Sequence, residues 1–192
     1  MHPAVYDLFN DICRAHNIRG TVLEIGAMPD DSTLLTLPSL HRAAEKIGIN
    51  KAGESRFKDF VIRAVDANDM RCFPSESFDA VLCNSVLEHD PCFWKTLAEI
   101  RRVTRIGGLV VIGTPGYTRL PPKSKFRRLV SGMFFARFPK HSTPTLDIHN
   151  FPGDYYRFSE QTFREVFFEN MKDVTIHILL MPPRIVGVGI RI

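Results

Sequence analysis

The chain has 192 residues, of which 44% are hydrophobic and 24% charged, with a formal net charge of +4, as in one soluble globular domain. No apolar run approaches the roughly 20 residues that span a bilayer, and the acidic, interrupted N-terminal segment is unlike a signal peptide, so we expect a cytoplasmic protein. Four scattered cysteines without a Cys-x-x-Cys pair favour reduced thiols over disulfides or a metal site.

The N-terminal part alternates helices with short strands. Apolar residues recur at helical spacing over Val5–Ile12, and Gly20 ends the pattern, which predicts an amphipathic helix within residues 1–20. A second, short helix is predicted over Ala52–Lys58. Runs of β-branched and apolar residues predict three strands, at Thr21–Ile25, Lys46–Ile49 and Phe60–Val65.

The next part contains strands that are buried on both faces. Phe78–Cys83 is continuously apolar apart from Asp79, which is typical of a central parallel strand. A helix then begins near Asp90, which can cap it, and Pro91, which suits its first turn. It ends at Gly107–Gly108. The remaining elements are a strand at Leu109–Ile112, a helix capped by Ser159, and two final strands at Val174–Leu180 and Ile185–Ile192.

Strands that alternate with helices predict an α/β fold with a mostly parallel sheet. Such sheets bind ligands at the carboxyl ends of their strands, near a topological switch point. We expect one domain over residues 1–192, in which residues 21–115 form the ligand-binding core. Residues 116–150 would form a basic cover segment, and residues 151–192 the C-terminal helix and strands.

The positive charge is concentrated in one segment. Ile100–Leu146 contains ten Lys or Arg residues and no acid, whereas the rest of the chain has 15 basic and 21 acidic residues. Five prolines make Gly113–Asn150 irregular, with one basic, aromatic helix predicted at Lys123–Arg137. We expect a lid over the ligand site. Peripheral contact with an anionic membrane stays open, and nucleic acid is disfavoured because no aromatic platform is present.

Four motifs follow one another along the core. Val22–Gly26 forms the end of the first strand and the turn after it, and the others are Asp66-Ala67, Ser77–His89 and Leu97–Pro115. In this order and spacing the chain resembles the class I S-adenosylmethionine (SAM)-dependent methyltransferases, in particular the small "methyltransferase type 11"-like enzymes. The resemblance implies a Rossmann-like fold with a mostly parallel seven-stranded sheet, helices on both faces and an antiparallel last strand.

The resemblance also implies SAM as the cofactor and gives roles by position. Glu24 and Gly26 would shape the turn under the amino-acid part of SAM. Asn50 would stand at the ribose ligand position, and the Asp66 carboxylate would accept from the adenine amino group. The full set of implied cofactor-binding residues is Glu24, Gly26, Ala27, Asn50, Asp66, Ala67, Asn84 and Ser85.

Two departures from the family pattern concern the cofactor. Met28 and Asp30 occupy positions where the turn commonly has further glycines, and Asn50 replaces an acid. A non-catalytic methyltransferase-fold binding or scaffold protein is therefore the alternative to an enzyme. A nicotinamide-dependent dehydrogenase is disfavoured because the turn lacks Gly-x-Gly-x-x-Gly.

Methyl transfer requires alignment of donor and acceptor, and a hydroxyl acceptor also requires a base. His89, on the loop after the fourth strand, is one candidate base because histidine titrates near neutrality. His149 and Asp154 are the other candidates. The resemblance implies methyl transfer, which we expect to a small-molecule or glycan acceptor with a hydroxyl as the acceptor group. It predicts no metal.

Overall fold

The computed structural model of the protein describes residues 1–116, 153–180 and 183–192. Its strands are β1 (Thr21–Ile25), β2 (Glu45–Asn50), β3 (Ser55–Phe57), β4 (Phe60–Ala64), β5 (Phe78–Asn84), β6 (Thr104–Pro115), β7 (Met171–Leu180) and β8 (Pro183–Arg191). Its helices are α1 (Pro3–His16), α2 (Phe93–Val103) and α3 (Glu160–Thr162), the last continuing into a π-helical turn at Phe163–Phe167. Short 3-10 helices lie at Leu34–Thr36, Pro38–Leu40 and Leu87–His89.

The eight strands form one sheet in the order β3-β4-β2-β1-β5-β6-β8-β7. β4, β2, β1, β5 and β6 are parallel, whereas β3 pairs antiparallel with β4, and β8 lies antiparallel between β6 and β7. β1 has β2 on one side and β5 on the other, so the chain switches direction across the sheet at β1. The ligand-binding edge is expected at this switch point.

Each face of the sheet is covered by a separate apolar core. On one face, Phe9 and Ile12 of α1 pack with Leu34 and Leu35. On the other face, the core includes Leu97 and Ile100 of α2 and Phe163 and Phe167 of the C-terminal turn. The predicted α/β architecture with helices on both faces is confirmed. Within the described ranges no helix is long and apolar enough to cross a membrane.

The sheet has one strand more than predicted. The helix predicted over Ala52–Lys58 is wrong, because β3 lies there and forms a hairpin with β4. Lys58 turns the chain with a positive φ, and the rings of Phe57 and Phe60 meet edge to face at 5.9 Å. Strand pairing and ring packing outweigh the weak local helix preference of this stretch.

β6 is longer at both ends than the predicted Leu109–Ile112. α2 ends at Val103, and Gly107–Gly108 lie inside the strand at a register shift between Phe78 and Ala80 of β5. The prediction of irregular structure from Gly113 is wrong for the last residues of β6, which pair with β8. The rest of that segment, including the helix predicted at Lys123–Arg137, lies outside the described residues.

Candidate functional site

A cavity of about 570 Å³ opens at the carboxyl ends of β1, β2, β4 and β5. This volume is in the range of small-molecule sites. Seven of the eight predicted cofactor-binding residues line it, and the eighth, Ala27, is fully buried next to Gly26. We call one side the β1 half, made of Glu24, Gly26, Asn50, Asp66 and Ala67. The opposite side is the β5 half, made of Asn84, Ser85, His89 and Arg184, with Glu88 in contact with Arg184.

The Glu24 carboxyl group fastens the loop after β1 to the sheet. It is 3% exposed and accepts hydrogen bonds from the Thr33 hydroxyl and from the backbone N–H groups of Leu34 and Leu35, the latter two at 3.0 and 3.2 Å. These amides begin a 3-10 helix, where N–H groups have no helical partner. Burial raises the pKa of Glu24 to about 7, although the three donors favour the carboxylate. Glu24 therefore shapes the loop that borders the cavity.

Gly26 turns the chain at the end of β1 with a φ of +82°, a conformation that residues with side chains rarely adopt. A Cβ at this position would lie 2.4 Å from Cγ2 of Val86, in the loop after β5. The N–H groups of Gly26 and Ala27 both donate to the Ile49 carbonyl, at 2.9 and 3.1 Å. The turn is thereby tied to β2, and its backbone borders the cavity.

The Asn50 side chain joins the loops after β1 and β2. Its Nδ2 donates to the Ala27 carbonyl at 2.8 Å and lies 3.4 Å from the Met28 sulfur, while its Oδ1 accepts from the Ala52 N–H at 2.9 Å. A carboxylate could not donate to the Ala27 carbonyl. An amide oxygen has two acceptor positions, so one remains for a donor on a ligand.

The Asp66 carboxylate lies just beyond the end of β4. Its Oδ1 accepts from the Asn68 N–H at 2.9 Å and pairs with the Lys51 ammonium at 3.0 Å. Desolvation of Asp66 acts to raise its pKa, but these contacts outweigh it and lower the pKa. The carboxylate is therefore charged at neutral pH. Both contacts use Oδ1, which leaves Oδ2 as an acceptor. Ala67, 8% exposed, lines the cavity beside it.

Asn84 and Ser85 lie where β5 ends. Ser85 has a φ of +57°, and its N–H donates to the Gly113 carbonyl of β6 at 2.9 Å. The Asn84 Nδ2 donates to the Ser85 hydroxyl at 3.2 Å, but the Asn84 Oδ1 is buried without a hydrogen-bond partner in the part of the chain that the structure describes. Because buried polar atoms normally have a partner, this oxygen is an acceptor that a ligand or water can satisfy.

The His89 ring lines the cavity with 18% of its side chain exposed. Its Nδ1 lies 3.3 Å from the Gly153 carbonyl. A carbonyl oxygen only accepts, so Nδ1 carries a proton and Nε2 of the neutral ring is an acceptor. Nε2 lies 3.9 Å from Oε1 of Glu88. Among the candidate bases within the described ranges, His89 is the one that lines this cavity.

Glu88 is a second deeply buried carboxyl group, only 1% exposed. Its Oε1 lies 3.8 Å from the Arg184 guanidinium, and its Oε2 has no hydrogen-bond partner among the described residues. Burial raises the pKa of Glu88 to about 7, although the positive charges of Arg184 and Arg157 act in the opposite direction. Glu88 therefore changes its charge near neutral pH, close to His89.

The other two predicted bases are placed differently. Asp154 is 7% exposed and forms a two-pronged ion pair with Arg157, and it is not among the described residues that line the cavity. The segment around it is fixed to the β5 half because the N–H groups of Tyr155 and Tyr156 donate to the Glu88 carbonyl. His149 lies outside the described residues. The roles of Asp154 and His149 stay predictions.

Sequence reasoning gave no role to Lys51, Glu88 or Arg184. Glu88 belongs to a quoted motif, but its burial follows from tertiary packing. Arg184 lies near the start of β8, and because β8 is antiparallel to β6, this start lies at the carboxyl edge of the parallel strands. The signal that could have indicated Arg184 is its position directly after Pro182 and Pro183 and before an apolar run.

Comparison with known proteins agrees with this architecture. Residues 36–112 match the family described as methyltransferase domain, and no curated protein matches the chain. Phosphoethanolamine N-methyltransferase 2 of Haemonchus contortus, solved with SAM, has a TM-score of 0.63 and 12% identity, covering 98% of this chain and 52% of that one. The chain therefore spans about half the length of that protein.

Two bacterial structures are similar over more of their own length. The 1,6-didemethyltoxoflavin-N1-methyltransferase of Burkholderia thailandensis, solved with its substrate and S-adenosylhomocysteine (SAH), has a TM-score of 0.63 and 16% identity, covering 98% of this chain and 78% of that one. The N-methyltransferase NodS of Bradyrhizobium japonicum, solved with SAH, has a TM-score of 0.63 and 11% identity, covering 98% and 86%.

This chain has the class I methyltransferase fold. The resemblance stated from the sequence motifs is confirmed, and so is the predicted kind of fold. The matched family region begins at the 3-10 helices after β1 and ends within β6, so it includes Asn50, Asp66 and the whole of β5.

Proposed function

We propose that the protein is a SAM-dependent methyltransferase whose acceptor is a small molecule or glycan. The observation that carries this proposal is the convergence of the predicted cofactor residues, from the ends of four strands, on one cavity. The matching methyltransferase family and the SAM- and SAH-bound solved structures support SAM as the ligand of that cavity.

The residues of the β1 half fit this cofactor. The Gly26 turn would lie under the amino-acid part, Asn50 would bind the ribose, and Oδ2 of Asp66 would accept from the adenine amino group. The Oδ1 of Asn84, which has no hydrogen-bond partner among the described residues, would be a further acceptor for the ammonium group. When bound, SAM supplies a methyl group that is activated by its sulfonium.

The β5 half would handle the acceptor. The side chains at its strand ends would hold the acceptor in line with the methyl group, which is the main requirement of this chemistry. For a hydroxyl acceptor, Nε2 of His89 would take the proton, since Nδ1 is engaged by the Gly153 carbonyl. The Glu88 carboxylate at 3.9 Å would then stabilise the imidazolium.

Calorimetric titration of the full chain with SAM and with SAH tests the cofactor. We expect both to bind at one site. Absence of binding for both would favour a non-catalytic domain that keeps the fold. This alternative is considered because Met28 stands where the family commonly has a glycine, and its sulfur contacts the Asn50 side chain.

The acceptor is tested by measuring SAH release with a panel of hydroxyl and amine compounds. Amines are included because the similar solved proteins are named N-methyltransferases. With a hydroxyl acceptor, His89→Gln should lower kcat by about 100-fold or more, the usual contribution of a general base. Unchanged kcat would remove His89 from the proton transfer. Peripheral membrane contact through residues 116–150 stays a prediction, which co-sedimentation with anionic and neutral vesicles tests.

A further inference from the structure

Arg184 reaches the ligand cavity from a strand outside the sequence motifs. It is the second residue of β8 and pairs with Pro115 of β6 and Leu179 of β7. Its side chain is 18% exposed and lines the cavity at the β5 half. The antiparallel direction of β8 is what brings this cation to the edge where the parallel strands end.

One nitrogen of the guanidinium group, Nη1, contacts two neighbouring side chains. Nη1 donates to the Ser85 hydroxyl at 2.7 Å and lies 3.8 Å from Oε1 of Glu88. A guanidinium has five N–H donors in a planar fork, so these contacts leave most of them unused among the described residues. Burial lowers the pKa of Arg184, and Glu88 acts in the opposite direction, but a guanidinium stays charged at neutral pH.

The described residues around Arg184 do not neutralise this charge completely. The Asp154 carboxylate forms a two-pronged ion pair with Arg157, whose own positive charge acts on Arg184. Glu88 is at 3.8 Å, which is longer than a charge-assisted hydrogen bond, and its raised pKa means that a fraction is protonated at neutral pH. A partly buried cation, with donors that the described residues do not use, therefore lines the cavity beside the Ser85 hydroxyl.

We propose that Arg184 binds an anionic group, a carboxylate or phosphate, of a ligand in this cavity. A fork of parallel donors matches two oxygens of such a group. The identity of the ligand rests on the proposed function. The anion is either the amino-acid carboxylate of SAM or an acidic group on the acceptor, and these two sources can be separated by experiment.

The experiment compares wild type with Arg184→Met and Arg184→Lys, and uses Arg191→Met as the matched control. Arg191 lies on the same strand but pairs with Glu76 and the Thr104 carbonyl, away from the cavity. Thermal unfolding establishes first that each variant is folded. Calorimetry then measures SAH, methylthioadenosine, which lacks the amino-acid group, and inorganic phosphate added to SAH-saturated protein.

If the anion is the SAM carboxylate, Arg184→Met lowers the affinity for SAH by about 10- to 100-fold, the range for a hydrogen bond to a charged group. The affinity for methylthioadenosine is then unchanged. If the anion belongs to the acceptor, SAH binding is unchanged, but the SAH-saturated variant loses the phosphate binding shown by wild type. Arg184→Lys should lie between wild type and Arg184→Met, and Arg191→Met should match wild type.

Two results would overturn the proposal. One is an Arg184→Met protein that binds SAH and phosphate as wild type does. The other is wild type that binds no phosphate, together with an Arg184→Met variant of unchanged SAH affinity. Failure of the proposed function gives a different result, because wild type would then bind neither SAH nor methylthioadenosine. In that case phosphate binding to the SAH-free protein still decides the role of Arg184.

Discussion

In the β1 half of the cavity, the buried Glu24 carboxyl accepts hydrogen bonds from three donors, whereas in the β5 half the buried Glu88 carboxyl has one oxygen without a partner among the described residues. Both groups are almost fully buried, and burial raises both pKa values to about 7. The two groups therefore have the same residue type and nearly the same burial. They differ in how many hydrogen bonds their carboxyl oxygens accept from the described residues.

This difference indicates different roles for the two halves. In the β1 half, the polar side chains of Glu24 and Asn50 connect loops to strands, so they build the shape of the site. In the β5 half, Asn84, Glu88 and Arg184 keep polar atoms that the described residues do not satisfy. Since unsatisfied buried groups are unfavourable, they are expected where a ligand completes the structure.

The largest effect is expected from Glu24→Ala. This change leaves the Thr33 hydroxyl and the N–H groups of Leu34 and Leu35 without their acceptor, at about 1–3 kcal/mol for each buried donor. The free energy of unfolding should fall by roughly 3–6 kcal/mol in urea titrations. Glu24→Gln keeps one acceptor oxygen and should lose less. A Glu24→Ala protein as stable as wild type would show that the carboxyl does not hold the loop.

The next largest effect is expected from Gly26→Ala, with Gly107→Ala as its control. The two glycines have nearly equal φ values, +82° and +78°, but a Cβ at Gly107 has no atom within 4 Å, whereas one at Gly26 meets Val86. The control should lose only the strain of positive φ, about 1–2 kcal/mol. Gly26→Ala should lose roughly 2–4 kcal/mol, because overpacking is added. Equal losses in urea titrations would show that Val86 yields without strain.

The reason for the Gly26 effect differs from the reason given by sequence analysis alone. The resemblance implies a turn at Gly26 under the amino-acid part of SAM, while the structure shows that the nearest obstacle to a Cβ is the side chain of Val86. The Val86 contact links the loops after β1 and β5, which are 60 residues apart, so no local pattern could reveal it. Substitution of Val86 by Ala should therefore relieve Gly26→Ala in a double-mutant cycle.

Asp66→Ala should act on binding and not on folding. Its Oδ2 is not used by the described residues, so we expect SAM and SAH affinity to fall by about 1–3 kcal/mol while the unfolding midpoint changes little. Asp69→Ala is the control, because Asp69 pairs with Arg71 and does not line the cavity. Calorimetry that gives equal affinities for the two variants would remove Asp66 from the adenine position.

The sequence predicts the β1 half of the cavity better than the β5 half. Glu24, Gly26, Asn50 and Asp66 each lie at or just after the end of a strand, and parallel pairing brings these strand ends to one edge of the sheet. Glu88 and Arg184 meet across 96 residues of chain, through an antiparallel strand whose position depends on the completed sheet. Burial and pairing of that kind come from tertiary packing, and no spacing rule encodes them.

A smaller effect is expected in the pH dependence of stability. The pKa values of Glu24 and Glu88, about 7, exceed the usual 4.5, so the folded state binds more protons between these values. The free energy of unfolding should therefore fall as pH rises from about 4.5 to about 7. Glu88→Gln removes one of the two groups and should roughly halve this slope. His177, whose pKa burial lowers, gives an opposing contribution that is the same in both proteins.

Urea titrations at several pH values between 5 and 7 measure that slope. Glu165→Gln is a suitable control, because Glu165 is exposed and lies on the C-terminal turn away from the cavity. An unchanged slope in Glu88→Gln would mean that the Glu88 carboxyl keeps its charge in the folded protein. The pKa of Glu88 would then lie near its usual value, unlike that of Glu24, and burial would not have the same effect on the two groups.

The smallest effect is expected from Asn50→Asp, which restores the acid common in the family. An aspartate could accept from both ribose hydroxyls, but it cannot donate to the Ala27 carbonyl, which Asn50 does at 2.8 Å. The gain in ribose binding and the loss of the loop contact should nearly cancel, so we expect SAH affinity within about threefold of wild type, well under 1 kcal/mol. A small drop in the unfolding midpoint should accompany the change, because the loop contact is lost without SAH as well. A tenfold gain in SAH affinity at unchanged stability would show that the hydrogen bond from Asn50 to the Ala27 carbonyl does not stabilise the loop after β1. Asn50 would then act mainly on the ligand and not on the shape of the site.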